Sequence, residues 1–438
     1  MIVERVRTDF GLLWTANTAG QFGTRIGSVA LPLLAISVLA ASPWELGLLA
    51  AVQSAGILLV GLPVGALVDR IRRRRLMVGA DVARALLLAG AAIGALTGLL
   101  NLAALFAVVL GVGIATACAE LAQQAFLPRL VGTGHVVEAN SRLQTSNAAA
   151  AATGPGLAGG LVGLLGAAGA MLVTATTFVA SLAALLRMRH REPPAPATPR
   201  RHLLAEIGEG MRLVLTDPIL RAIALCTSSA NLFMAAAASQ LVIFLVRVVG
   251  LSPFVVGILL AASGVGGVLG AATARRWVAV LGQPRATWLS LLVTQPFALL
   301  LPLSGRDGAR LLLFLLGWLV VGYGGTLYNV LQVSYRQATC PDRLLGRVQA
   351  CNRFLAWGTL PLGGLLGGTL GSWLGPRGAL LVAAAGLAAS TSWLTLSPLP
   401  RTAADRSGGS RATHHAGDAS PAGPATGAHV ARNQTSKM

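Results

Sequence analysis

The sequence predicts an all-α polytopic membrane protein with twelve transmembrane helices in two six-helix pseudo-repeats. Three observations predict it. Hydrophobic residues make up 54% of the 438 residues and charged residues only 11%, less than half the share of about 25% found in soluble domains; mean hydropathy is +0.70. The apolar residues gather in segments near the length of about 20 residues that crosses a hydrocarbon core. The second half of the chain repeats features of the first in the same order. A soluble enzyme and a disordered chain are both excluded by this composition.

Taken in order, the apolar segments of the first half run near 12–38, 45–67, 76–98, 101–125, 142–164 and 166–187. Those of the second half run near 219–247, 253–274, 286–303, 309–335, 345–372 and 376–396. Short links at Ser42-Pro43, Gly98 to Asn101 and Gly163 to Gly169 predict helical hairpins. Residues 1–187 are expected to form an N-terminal bundle and 218–398 a C-terminal one. Between them, 188–217 is a cytoplasmic linker whose start is rich in proline, which cannot be helical throughout. Its later part places Leu203, Leu204, Ile207, Met211 and Val214 on one helical face, the pattern of an amphipathic helix at a membrane surface. Residues 399–438, rich in Ser, Gly, Ala, Pro and Thr, read as a disordered cytoplasmic tail.

Charge sets the orientation. Net charge is +19, from 34 Lys and Arg against 15 Asp and Glu, and the only lysine is Lys437. Alternate links carry the arginines: Arg70, Arg72, Arg73, Arg74 and Arg75 in one, Arg187 to Arg212 in another, Arg275, Arg276 and Arg285 in a third. Positive residues collect on the cytoplasmic side, which puts both termini there. No basic aromatic patch accompanies the charge, so nucleic acid is not an expected partner. With no lysine after a glycine-rich loop there is no ATP site of the phosphate-loop kind. No cofactor is expected. Cys118, Cys226, Cys340 and Cys351 form no CxxC pair and read as small packing residues rather than metal ligands.

The repeat is carried by three matches. Ser42-Pro43-Trp44-Glu45-Leu46-Gly47 returns as Ser252-Pro253-Phe254-Val255-Val256-Gly257. Pro128 with Arg129-Leu130-Val131-Gly132 returns as Pro341 with Arg343-Leu344-Leu345-Gly346, and Asn140 returns as Asn352. Duplicated six-helix units in parallel orientation are a transporter architecture, with the substrate held near the midplane between halves that rock against each other.

The link after the second segment reads Gly65-Ala66-Leu67-Val68-Asp69-Arg70-Ile71-Arg72-Arg73-Arg74-Arg75. Topology alone explains the arginines but not Gly65 and Asp69 at this spacing. The pattern resembles the loop motif of the major facilitator superfamily, and the resemblance covers residues 10 to about 398. It implies that fold. It also implies a gating role for Gly65, Asp69, Arg70, Arg73 and Arg74, with Asp69 meeting the positive N-terminal end of the eleventh helix. The corresponding second-half stretch, Gly270 to Arg276, lacks the Asp.

Gly154, Pro155 and Gly159 in the fifth segment resemble the Gly-Pro motif of exporters in that superfamily, which implies control of leak through the closed state. Phe10 to Trp14, Ala119-Glu120, Phe126 to Val131, Glu138 to Asn140, Ile207 to Gly210 and Leu345 to Val348 resemble the bacterial branch of macrolide-efflux and enterobactin-exporter proteins. One departure is that only six residues separate Glu120 from Leu127, about a turn short of that branch.

Ionisable groups inside a membrane mark function or buried pairs. Arg25 lies midway along the first segment and is expected to face a cavity, binding an anionic group or a carboxylate. Asp81, Arg84 and Glu120 lie nearer the cytoplasmic ends, as ion pairs or proton carriers. Polar residues in apolar segments complete the candidates for substrate or coupling: Asn17, Gln21, Asn231, Gln240, Tyr323, Tyr328, Asn329 and Gln332. The resulting expectation is a proton-driven exporter of small amphipathic compounds in a bacterial inner membrane. Its partners are a small-molecule substrate, the lipid bilayer and a proton gradient. An uptake carrier and a non-transporting receptor on the same fold remain the alternatives, since fold alone does not set function.

Overall fold

The computed structural model describes residues 2–68, 72–132, 135–189, 211–212, 214–340 and 342–399. Asp69 and Arg70 of the loop motif, most of the linker and nearly all of the tail lie outside these residues. Among the described residues every element is helical: α1 Ile2–Ser37, α2 Pro43–Val68, α3 Arg73–Leu96, α4 Leu102–Val131, α5 Val136–Arg187, α6 Pro218–Ile243, α7 Pro253–Leu281, α8 Gln283–Thr294, α9 Gly308–Thr339, α10 Asp342–Ala389 and α11 Ser392–Thr395. A π turn, Phe244–Val248, extends α6, and a 3-10 segment, Gln295–Leu300, extends α8. Seven of the described helices are long and apolar enough to cross a membrane.

α5 and α10 are too long for a single crossing. At about 1.5 Å per residue, helices of this length exceed a hydrocarbon core of about 30 Å. Each is broken by one glycine in a conformation only glycine adopts freely: Gly166 at φ 72°, ψ 171° and Gly375 at φ 71°, ψ 168°. The breaks divide α5 into arms 136–165 and 167–187, and α10 into arms 342–374 and 376–389. The expected hairpin between Gly163 and Gly169 is this break.

The helix starts follow local chemistry. Ser42 and Glu45 form a reciprocal capping box on α2: the Ser42 amide donates to Glu45 Oε2 at 2.7 Å, and the Glu45 amide donates to Ser42 Oγ at 3.3 Å. Asn101 accepts from the Ala104 amide to cap α4, and Asp217 accepts from those of Ile219 and Leu220 to cap α6. Glu45, an acid at a helix end, is thus a capping residue.

The repeat extends to backbone detail. After α1 the Ala41 amide donates back to the Ala35 carbonyl, and after the π turn Leu251 donates to Leu245 in the same way. The residue before each is left-handed, Ala40 at φ 51° in the first half and Gly250 at φ 77° in the second. A side chain in that region costs about 1–2 kcal/mol, less the entropy that glycine gives up. Ala40→Gly is therefore expected to stabilise the protein by about 0.5–1 kcal/mol. Thermal melting of the detergent-solubilised chain checks it; a lowered melting temperature contradicts it.

α1 lies along both arms of α5, α3 packs on α4 and α5, and α2 packs on α4. In the second half α6 packs on α10, and α9 packs on α7 and α8. The halves meet where α2 crosses α10 and α5 crosses α7. The largest buried cluster bridges them at one end, joining Leu34, Leu46 and Met171 of the first half to Phe244, Leu245 and Val256 of the second. That end is opposite the arginines that open α3.

Candidate functional site

Two features lie where function is expected: the seam between the halves, and a polar cavity inside the first half.

The seam is built on small residues. On one side Gly47 of α2 faces Gly364 and Gly368 of α10; a Cβ on Gly364 would stand 2.9 Å from the Gly47 carbonyl oxygen and 3.0 Å from Ala51 Cα. On the other side Gly159 of α5 faces Gly257 of α7, and a Cβ on either would stand 2.9 Å from the Cα of the other. The Pro155 carbonyl closes on Gly257 as well. Helices approach this closely only where side chains are absent. The two contacts are related by the repeat: Gly47 corresponds to Gly257, and Gly159 and Gly368 stand equally far before the breaks at Gly166 and Gly375. The seam continues inward as Gly264 against Ala151 and Ala152.

All three Gly-Pro motif residues therefore make contacts. Gly159 and Pro155 meet the opposite half. Gly154 faces α1, where a Cβ would lie 2.5 Å from Arg25 Cβ. Gly156, between them, has nothing within 4 Å.

Polar bonds reinforce this end. Gln240 Nε2 donates to the Pro43 carbonyl at 3.0 Å, and Arg247 Nη2 donates to that of Ile36 at 3.4 Å. Gln240 is fully buried. It joins the halves through that bond.

The cavity is about 40 Å³, room for two or three waters. It is lined by Asn17, Gln21 and Thr24 of α1, Asp81 and Arg84 of α3, Thr116, Glu120 and Gln123 of α4, and Ser181 of α5, with apolar neighbours such as Met77. Asp81 and Arg84 form a buried ion pair. Ser181 Oγ donates to Asp81 Oδ2 at 2.7 Å, and the Arg84 guanidinium stacks 4.3 Å over the Phe178 ring. Glu120 shares this cavity with Arg84. Gln123 Nε2 donates to Asn17 Oδ1 at 2.9 Å, and Asn17 Nδ2 donates to Asn147 Oδ1 at 3.1 Å. Asn17 is thereby buried in a network linking three helices rather than free for a substrate. Arg25 is exposed.

The second-half candidates do not converge. Asn231 Nδ2 donates to the Ala356 carbonyl at 3.2 Å, tying α6 to α10. Tyr328 is buried, its hydroxyl 3.0 Å from Thr227 Oγ1. Tyr323 takes part in a cluster with Thr273 and Trp277, each at 2.8 Å. Gln332 donates to Asn329 at 3.1 Å, and of these only Asn329 is exposed. Polarity in an apolar span announces a group that needs a partner, not a group that faces a cavity, and most of these found partners on neighbouring helices.

Of the arginines to which the resemblance assigns gating, Arg73 and Arg74 are described. Arg73 is buried. Arg74 donates from Nε to the Leu185 carbonyl and from Nη2 to the Leu186 carbonyl, both at 2.9 Å. It caps the C-terminal end of α5, where a cation also suits the helix dipole. Arg74 is thus bonded within one half. Gly65 lies in the last turn of α2, while Asp69 and Arg70 lie outside the described residues. The four cysteines are unpaired. Burial pushes the Cys340 thiol up, with Asp217 adding to the effect and Arg336 opposing it, which suits an unreactive packing group.

Gln123, Ser181 and Asn147 were not legible as site residues. Gln123 could have been found one helical turn from Glu120. Ser181 and Asn147 reach the site from a distant helix and leave no local signal.

Comparison with known proteins follows the same outline. The transmembrane secretion effector family matches residues 6–419. The multidrug efflux pump Tap of Mycolicibacterium fortuitum is 31% identical over 374 residues, 82% of this chain and 88% of that protein. The enterobactin exporter EntS of Shigella dysenteriae serotype 1 is 29% identical over 326 residues, 73% of this chain and 75% of that protein. Among solved structures, the nucleoside transporter NupG superposes with a TM-score of 0.71 at 12% identity, over 89% of this chain and 98% of its own. A bacterial homologue of the lysosomal transporter Spinster gives 0.71 at 14% identity, over 90% and 96%.

Proposed function

The chain belongs to the transmembrane secretion effector family of major facilitator transporters, and from that premise we propose that it exports small amphipathic compounds by alternating access, driven by a proton gradient. The observation that carries the reading is the seam. Its two glycine contacts obey the internal repeat and join the two bundles, the arrangement that lets one half rock against the other about a central site. The arginine-rich links orient the chain with both termini cytoplasmic. On that orientation the seam lies at the outer face. As the cytoplasmic counterpart we propose a contact of Asp69, which lies outside the described residues, with the N-terminal end of α10, worth about 0.3–2 kcal/mol.

Export rather than uptake is supported by Tap and EntS, both named for outward transport. The Gly-Pro motif lies in the seam itself, where it would limit leak. Glu120, a carboxylate in a small polar cavity, supports coupling to protons. The test is direction of flux. Inside-out bacterial membrane vesicles containing the protein are expected to accumulate an amphipathic dye when their lumen is made acidic, and to lose it on adding a protonophore. Dye uptake by right-side-out vesicles alone would overturn the exporter reading in favour of an importer.

A further inference from the structure

The seam end of the second half carries positive charge that the fold does not require. Its turns and helix starts hold Arg247, Arg306, Arg310 and Arg377, whereas the matching stretches of the first half, 37–45, 97–104 and 163–169, hold no arginine. Counted from the matched Ala41 and Leu251, Arg247 corresponds to Ser37; counted from the matched breaks at Gly166 and Gly375, Arg377 corresponds to Ala168. The first half thus makes the same turns without these charges. Two of the side chains converge. The Arg377 guanidinium lies 5.6 Å from the centre of the Phe244 ring, at the start of the π turn, and its Nη2 donates to the Ser304 carbonyl at 3.1 Å. Just beyond Ser304, Arg306 reaches the loop that follows the π turn, where a Cβ on Gly250 would stand 4.0 Å from the Arg306 Cζ. The acids at this end, among the described residues, are Glu45, which caps α2, and Asp307, which pairs with Arg310 at 3.7 Å. Arg306 and Arg377 are exposed and have no carboxylate partner among the described residues.

We propose that Arg306 and Arg377 hold the phosphate of an anionic phospholipid at the membrane interface of the seam end, which the orientation proposed above makes the outer leaflet. A guanidinium presents planar, always-charged donors that match phosphate oxygens, and Arg377 keeps most of its five donors after the one spent on Ser304. The apolar surroundings select a lipid over a soluble anion. Trp373 is 80% exposed, and Leu374 beside it and Leu303 beside Ser304 are exposed as well. An indole at this level is characteristic of the bilayer interface, and these side chains are covered by acyl and glycerol groups only if a lipid lies there. Charge selects the headgroup. A zwitterionic lipid brings an ammonium toward two unpaired guanidiniums, whereas a phosphodiester with a neutral alcohol, as in phosphatidylglycerol, brings only the complementary charge. A phosphate shared by Arg306 and Arg377 ties together the loop after the π turn, the turn before α9 and the break in α10. The site concerns a resident lipid and is independent of the direction of transport.

The test needs no substrate. The full-length protein is placed in nanodiscs of phosphatidylcholine, with or without phosphatidylglycerol, and amide hydrogen exchange is read by mass spectrometry. Wild type is expected to exchange severalfold more slowly at 301–308 and 373–378 when phosphatidylglycerol is present, by a smaller factor in high salt. The first-half turns at 97–101 and 164–168, which lack the arginines, are expected to exchange alike in both lipids. Arg306→Gln changes an exposed side chain that makes no hydrogen bond or ion pair among the described residues, so it leaves the fold intact and is expected to lose most of the difference. Arg306→Gln/Arg377→Gln is expected to lose all of it; should that variant fail to assemble, the single one decides. Phosphatidylcholine nanodiscs with added inorganic phosphate separate lipid from free anion, and no slowing is expected in them. Equal exchange in the two lipid mixtures overturns the proposal. So does slowing that extends equally to the first-half turns, that persists in Arg306→Gln, or that inorganic phosphate produces to the same degree.

Discussion

Gly257→Val is expected to abolish transport while leaving the chain in the membrane. The new Cβ would stand 2.9 Å from Gly159 Cα and closer still to the Pro155 carbonyl, and those are backbone atoms of a packed helix. A flexible side chain could move aside, but these atoms cannot without separating α5 from α7. Overpacking of this kind costs about 1–3 kcal/mol. At about 1.4 kcal/mol per factor of ten, the closed-seam population falls by roughly five- to a hundredfold relative to the open one. Each bundle keeps its own packing, so insertion and expression are spared. Gly156→Ala is the control, because nothing lies within 4 Å of that position. Dye export per unit of membrane-inserted protein is the measurement. Wild-type export by Gly257→Val would remove the seam from the mechanism.

The second large effect is on stability. Arg84→Ala strips the counter-ion from Asp81 in a pair whose side chains are only 7% and 2% exposed. Removing one partner of a buried pair costs about 3–5 kcal/mol, since the remaining charge stays in a poorly solvating site. The variant also loses the guanidinium stacked on Phe178. Removing both charges, as in Asp81→Ala/Arg84→Ala, is expected to recover much of the loss. The Glu138–Arg142 pair on α5 makes the contrast: its side chains are 64% and 55% exposed, and Arg142→Ala is expected to change stability by about 0–1 kcal/mol. Thermal melting followed by fluorescence-detected size exclusion separates these cases. Equal melting temperatures for Arg84→Ala and Arg142→Ala would show that the Asp81 pair is not a structural anchor.

Much of the fold was legible because apolar length and turn chemistry are local properties. The hairpins at Ser42-Pro43 and at Gly98 to Asn101 fall where the chain turns, and the repeat seen in Ser42 to Gly47 and Ser252 to Gly257 reappears as matched helix ends and matched seam contacts. The site was legible only in part. The spacing of Gly154, Pro155 and Gly159 is a local pattern, but their two directions, toward Arg25 and toward Gly257, emerge only when three helices are assembled. The partners of Gln240 and Tyr328 were not legible for the complementary reason: an apolar span containing one polar residue does not reveal which helix satisfies it. Arg74 was read through its charge and its motif, whereas its partners are carbonyls at the far end of the same bundle. Asp81 and Arg84, one helical turn apart, announced their own pairing, and the Ser181 hydroxyl that completes the site came from a distant helix.

The central claim, that a closed-seam carrier moves compounds outward at the expense of a proton gradient, is tested most directly in cells. An efflux-deficient bacterial host expressing the wild-type chain is exposed to a panel of amphipathic antibiotics and dyes, with and without a protonophore, beside a host expressing Gly257→Val. The account predicts lower accumulation of at least one compound in the wild-type host, reversed by the protonophore and absent in the variant. Accumulation raised above that of the empty host, or lowered equally by wild type and Gly257→Val, would contradict it.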